Sequence, residues 1–139
     1  MNQRIMMILA IGGLFLAGCS NEPFDYVKVK GKVTYEDGSV IPADSIELWF
    51  ASTAPPVDES THPRPAKAGV NIADGTFDKV TSHKPGDGVV KGEHKVAIFA
   101  YKNGQISNLI PKEYTNARTT PLVVDTKDAP WEIKVKKKL

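Results

Sequence analysis

Glu93-His94-Lys95-Val96-Ala97-Ile98-Phe99-Ala100-Tyr101-Lys102 is the longest stretch of this chain whose side chains fall into two alternating sets. His94, Val96, Ile98 and Ala100 form one set, and Lys95, Ala97, Phe99 and Tyr101 the other. A period of two marks a β-strand with one face toward a core, because successive side chains leave the backbone on opposite sides. Asn103-Gly104 closes the run with a dipeptide suited to a tight turn. Toward the N-terminus, Val27, Val29, Val33 and Tyr35 alternate with Lys28, Lys30, Lys32 and Thr34 until the turn residues Glu36-Asp37-Gly38-Ser39. Ile46, Leu48 and Phe50 then alternate with Ser45, Glu47 and Trp49. A strand near residues 66–73 places Ala68, Val70 and Ile72 inward, and Asp74-Gly75 turns it into another over 76–81, anchored by Phe77. Residues 121–126 and 131–138 supply the last two strands, the final one with Trp131, Ile133 and Val135 opposite Glu132, Lys134 and Lys136. Helical periodicity is limited to one turn near Pro111–Asn116. Seven short strands separated by turns predict an all-β domain over residues 27–139, a seven-stranded antiparallel Greek-key β-sandwich.

Composition fits this reading. The chain has 139 residues, 41% hydrophobic and 24% charged, the balance of one globular domain rather than a disordered chain. Ten Pro and 11 Gly argue against a long-helix protein, and a single Cys excludes an internal disulfide framework. A net charge of +2 gives no reason to expect nucleic acid as a partner.

The N-terminus is read separately. Arg4 precedes the apolar run from Ile5 to Ala17, which is shorter than the roughly 20 residues needed to span a bilayer core. A basic start, a short apolar middle and small residues after it describe a secretory leader over residues 1–18. Leu16-Ala17-Gly18-Cys19 resembles the bacterial lipobox, in which the Cys is acylated through its thiol and becomes the first mature residue. That resemblance implies membrane lipid as a partner through acylated Cys19, an extracytoplasmic location and a tether over residues 19–26. Two or more acyl chains give stable anchoring where one is marginal. Ser20 stands where an Asp would resemble an inner-membrane retention signal, which favours the outer membrane.

Several stretches together resemble carboxypeptidase-regulatory-like (transthyretin-like) domains. These are Gly31-Lys32-Val33-Thr34-Tyr35 with Asp37-Gly38, Ile46-Glu47-Leu48-Trp49-Phe50, and Asp74-Gly75-Thr76-Phe77. Gly92 through Ile98, Ile110-Pro111-Lys112-Glu113-Tyr114 and Thr119-Thr120-Pro121-Leu122 continue the pattern. With the lipobox, the chain resembles the small single-domain lipoproteins of planctomycete-type bacteria. The resemblance implies a transthyretin-like (prealbumin-like) sandwich, with Tyr114 capping the core. It is nearly silent on activity. One enzymatic branch of the fold carries a Tyr-Arg-Gly-Ser-like tail, which Lys136-Lys137-Lys138-Leu139 does not match.

The residues themselves offer little chemistry. His62, His83 and His94 lack the pairing that metal ligation favours, and His94 reads as a packed, hydrogen-bonded imidazole. Asp37, Asp74 and Asp87 each precede Gly and read as turn residues rather than calcium ligands. No catalytic residue, metal or cofactor is expected. Two surface features are candidates for binding. Trp49, Phe99 and Tyr101 sit on the outward faces of their strands and would form an aromatic platform for an envelope protein or glycan. The alternative is that the Pro55–Pro65 loop folds over and buries them, since a long ordered loop needs something to pack on. Lys28, Lys30 and Lys32 on the first strand and Lys134, Lys136 and Lys138 on the last would form a basic stripe if the strands are neighbours, able to contact anionic headgroups. Solvated lysines are the plain alternative. The function expected is a non-catalytic binding or structural module, with a loop-based hydrolase or metal-dependent enzyme as the competing class.

Overall fold

The frame of the molecule, a computed structural model that describes residues 22–139, is a long antiparallel ladder between two strands. The leader, the Leu16-Ala17-Gly18-Cys19 motif and the start of the tether lie outside the described residues. Among the described residues there are ten strands: β1 (Tyr26–Val27), β2 (Gly31–Tyr35), β3 (Ser45–Ser52), β4 (Ala66–Gly69), β5 (Thr76–Phe77), β6 (Val89–Val90), β7 (Glu93–Lys102), β8 (Gln105–Ile106), β9 (Val123–Asp125) and β10 (Trp131–Val135). β3 and β7 pair over their whole overlap, from Ser45 opposite Tyr101 to Ser52 opposite His94. β4 flanks β3, while β8 and β9 share the far edge of β7. A second sheet has the order β10-β2-β5, and β1 pairs with β6. The chain is all-β, with its sheets arranged as in a sandwich.

Alternation decides what the core contains. Ile46, Leu48 and Phe50 from β3 and Val96, Ile98 and Ala100 from β7 point inward and are buried. Val33 and Tyr35 from β2 and Trp131, Ile133 and Val135 from β10 answer them from the other sheet. Phe50 joins the layers directly, with ring centroids 5.3 Å from Trp131 and 5.9 Å from Phe77. Such tilted aromatic contacts add to the large apolar area each ring removes from water. A 3-10 turn over Lys112–Thr115 carries buried Tyr114 to the end of β10, where its hydroxyl accepts a hydrogen bond from the Lys136 N–H at 3.4 Å.

The seven expected strands become ten among the described residues. The one expected over 76–81 stops at Phe77, Val89–Val90 adds an unexpected one, and the last ends at Val135. β2 and β10 run parallel, in register from Trp131 opposite Gly31 to Val135 opposite Tyr35, so the sandwich is not wholly antiparallel. Alternation is identical for either direction, and the long crossover between these strands permits the parallel one. The expected strand over 27–35 is two strands in different sheets, because β1 leaves to pair with Val89–Val90 while the same alternation continues past the break. The expected strand over 66–73 stops at Gly69, and Ile72 is exposed. Asn71 starts the turn early: its side chain accepts from the Ala73 N–H at 3.0 Å and its carbonyl from the Gly75 N–H at 2.7 Å. Finally, Asn103 (φ 52°) and Gly104 (φ 74°) make a two-residue hairpin into β8 rather than a plain ending.

Gly75 shows how tightly one turn is specified. It has φ +79°, and a Cβ there would lie 2.3 Å from the Val33 carbonyl oxygen, whereas Gly38 (φ +84°) has open space around it. Gly38→Ala is expected to cost about 1 kcal/mol through backbone strain alone, and Gly75→Ala roughly 3 kcal/mol through strain plus overlap. Urea unfolding midpoints of the two variants check the order; equal losses would show that the Val33 contact relaxes freely.

Candidate functional site

The outward side of the β3–β7 ladder carries the aromatic residues. Trp49 lies opposite Ala97 on β7 and opposite Lys67 on β4. The small Ala97 leaves room for the indole, and Ala97 is itself buried, at 3% exposure. Trp49 and Phe99 meet with ring centroids 5.4 Å apart and planes tilted by 60°, a favourable edge-inclined geometry. Tyr101 lies two residues further along β7, opposite Ser45 on one side and Ile106 on the other. Phe99 and Tyr101 are half-buried, Trp49 is 38% exposed and Ile106 57% exposed.

Charged neighbours fix the indole. The Lys67 ammonium sits 3.8 Å from the centroid of the Trp49 ring, a cation–π contact. Trp49 Nε1–H donates to the Glu47 carboxylate, which lies 3.9 Å from Lys67 Nζ. Alternation along β3 predicts Glu47 on this face, whereas Lys67 is not among the expected site residues. The available signal was its position between Ala66 and Ala68, both of which face inward.

The Pro-rich loop does not bury Trp49. Its end, Ser60–Pro65, turns instead toward Glu22, Pro23 and Phe24 and lines an open cleft of about 440 Å³ with them. Arg64 Nε lies 3.8 Å from the Glu22 carboxylate, and His83 Nε2 lies 3.9 Å from it. Tyr26 donates its hydroxyl to Glu22 Oε1 at 2.7 Å, and burial followed by that carboxylate pushes its pKa up to about 12. Glu22 falls within the expected tether, and nothing local in the sequence marks it as the centre of this cluster.

The cleft also brings Ser60 and His62 together with Glu22, but their polar atoms are engaged elsewhere. Ser60 Oγ donates to Asp58 Oδ1 at 2.9 Å, and the His62 ring nitrogen Nε2 lies 3.1 Å from the Glu59 backbone carbonyl. The Ser60 hydroxyl is thus paired with a carboxylate and the His62 ring with a backbone carbonyl, so the two side chains do not form a Ser–His pair with each other. Among the described residues, no three His, Cys, Asp or Glu side chains converge as a metal site would require, and no helix is long and apolar enough to cross a membrane.

The lysines do not form one row. Lys28 and Lys30 precede β2, and the parallel register sets Lys32 beside Glu132 and Lys134 beside Thr34. Lys134 Nζ donates to Thr34 Oγ1 at 3.0 Å. Lys136 and Lys138 follow β10 and are exposed. Each lysine of the paired region therefore faces a glutamate or a threonine across the strands, where a basic stripe was expected.

His94 is fully buried at the start of β7, and its Nε2–H donates to the Val90 carbonyl at 2.6 Å. That bond fixes the neutral tautomer and leaves Nδ1 as an acceptor with no partner among the described residues. Burial holds the imidazole below its ordinary pKa of 6.5, against smaller upward pulls from the Val90 carbonyl and the charge of Asp125. A histidine lowered in this way binds fewer protons folded than unfolded. Its contribution is complete above the unfolded value and is lost as pH falls below it. The urea midpoint is therefore expected to drop between about pH 7 and about pH 5, a window above the titration of the hydrogen-bonded aspartates. His94→Leu should flatten that drop; an unchanged slope would assign it to other groups. No family model, curated protein or solved structure matches this chain.

Proposed function

We propose that this chain is a lipid-anchored, non-catalytic binding module of the bacterial cell envelope, which docks a protein on the outward face of its β3–β7 ladder. The observation that carries the reading is the uncovered Trp49–Phe99 pair, 5.4 Å apart and held by Lys67 and Glu47. Aromatic side chains with a cationic partner suit the core of a protein–protein contact, where Trp and Tyr are enriched. A protein fits better than a glycan, because Lys67 already occupies one side of the indole where a sugar ring would stack. The hydrolase alternative has its nearest support in the Glu22–His62 cleft, whose Ser and His are committed to other partners.

The transthyretin-like arrangement belongs to the same proposal. Pairing of β3 with β7 and of β2 with β10 supports it, since the resemblance joins the second with the fifth expected strand and the first with the last. Anchoring through Cys19, with the outer membrane as the destination, rests on the Leu16-Ala17-Gly18-Cys19 motif.

Both parts are open to test. Envelope proteins co-purifying with the full chain should be depleted by Trp49→Ala at least about tenfold, as for a central contact residue, and retained by Val57→Ala, which alters an exposed loop residue elsewhere. An identical set of captured proteins for wild type and Trp49→Ala would remove the docking face. Cys19→Ala should yield an unacylated chain that no longer partitions with membranes; normal retention of that variant would defeat the anchor.

A further inference from the structure

We infer that the outer edge of β10 is self-complementary and pairs antiparallel with the same edge of a second copy of this chain. β10 ends the β10-β2-β5 sheet. The Trp131 N–H donates to the Lys30 carbonyl and the Val135 carbonyl accepts from the Glu36 N–H, so the odd-numbered residues of the strand spend their backbone groups on β2. Alternation then turns the N–H and C=O of Glu132 and Lys134 away from β2. An open hollow of about 360 Å³ lies at the Glu132 end of this edge, lined by Val123, Asp125, Lys127, Asp128, Trp131 and Glu132. A strand edge left in this state is a template for another strand.

The side chains choose the occupant. Edges are commonly blunted with charges of one sign, but here Glu132 and Lys134 carry opposite signs, both exposed on the outer face. A two-fold axis at Ile133 places Glu132 opposite Lys134 of the second copy, and Lys134 opposite Glu132 of that copy. Both residues of each such pair have outward backbone groups, so each pair exchanges both of its N–H···O=C bonds. Parallel self-pairing without a shift would instead oppose like charges, which is unfavourable. Lys134 already donates to Thr34 Oγ1, yet an ammonium has three donors and keeps that bond while reaching a carboxylate across the edge. The contact is also bounded. Pro130 has no N–H, and at the other end the Lys136 N–H is directed to the Tyr114 hydroxyl. Pairing is therefore confined to the centre of the strand, and the dimer is weak and salt-sensitive.

The experiment is sedimentation equilibrium of the full chain in mild detergent, over a range of concentrations and at low and high salt. A reversible dimer is expected. Glu132→Lys or Lys134→Glu alone should weaken it about tenfold, because each reversal creates two like-charge pairs, and the double swap should restore it. Lys134→Pro removes an outward N–H that β10 does not use within its own sheet, so it should abolish the dimer while leaving a folded monomer, its unfolding temperature lowered only by loss of the bond to Thr34 Oγ1. A chain that stays monomeric throughout, or a dimer indifferent to the single reversals and to Lys134→Pro, overturns the inference. Because β10 lies in the other sheet from Trp49, capture of a protein on the aromatic face is unaffected by these variants.

Discussion

The register of β3 against β7 is the constraint on which both the core and the candidate surface depend. Ser45 faces Tyr101 and Ser52 faces His94, and every pair between follows. One side of this ladder buries Leu48, Phe50, Val96 and Ile98, while the other displays Trp49, Phe99 and Tyr101. A slip of one residue would exchange the two sets, exposing the buried residues and driving the indole into the core. Burial of the inner face thus selects the outer one. The aromatic surface needs no separate folding signal; it is what remains once the apolar residues are inside.

The second sheet is held to this ladder chiefly through aromatic contacts around Phe50. Trp131 and Phe77 approach it from β10 and β5, on either side of β2. Gly31 on β2 makes that approach possible, since a Cβ there would stand 2.5 Å from the Trp131 carbonyl oxygen and 2.8 Å from the Phe77 ring. Trp131 is also fixed at its polar end, where Nε1–H donates to the Asp125 carbonyl at 2.8 Å. The indole therefore ties β9, which belongs to the first sheet, to β10 of the second.

What could be read from the sequence follows from what a period of two encodes. β7 was legible to its ends, because ten residues alternate without interruption and Asn103-Gly104 stops them. The inward and outward sets of β3 were legible for the same reason. Strand direction, sheet membership and early termination were not, because they depend on partners far along the chain. Val27 and Val33 share one alternation yet sit in different sheets, and Ile72 keeps the phase of Ala68 after Asn71 has already begun the turn. In the candidate site, the aromatic trio was visible as outward residues, but the Lys67 contact depends on the pairing of β4 with β3. The path of the Pro-rich loop was equally hidden, since it is set by contact with residues near Glu22 rather than by its own composition.

Strand direction also settles where the lysines lie relative to one another. Because β2 and β10 are parallel, the residues before β2 and those after β10 are at opposite ends of the sheet. The sheet is five residues long there, so Lys28 and Lys30 are separated from Lys136 and Lys138 by roughly 17 Å or more. That exceeds a Debye length of about 8 Å at physiological salt, and the two groups act independently on any charged surface. Under the anchored reading, a chain arriving from Cys19 meets the domain at Glu22, which is held beside Arg64 and His83 rather than extended away from it. An antiparallel pairing would have gathered the lysines at one end. The parallel pairing spreads them and leaves between them the mixed-sign row of Lys32, Glu132 and Lys134, which is suited to meeting another strand rather than a membrane.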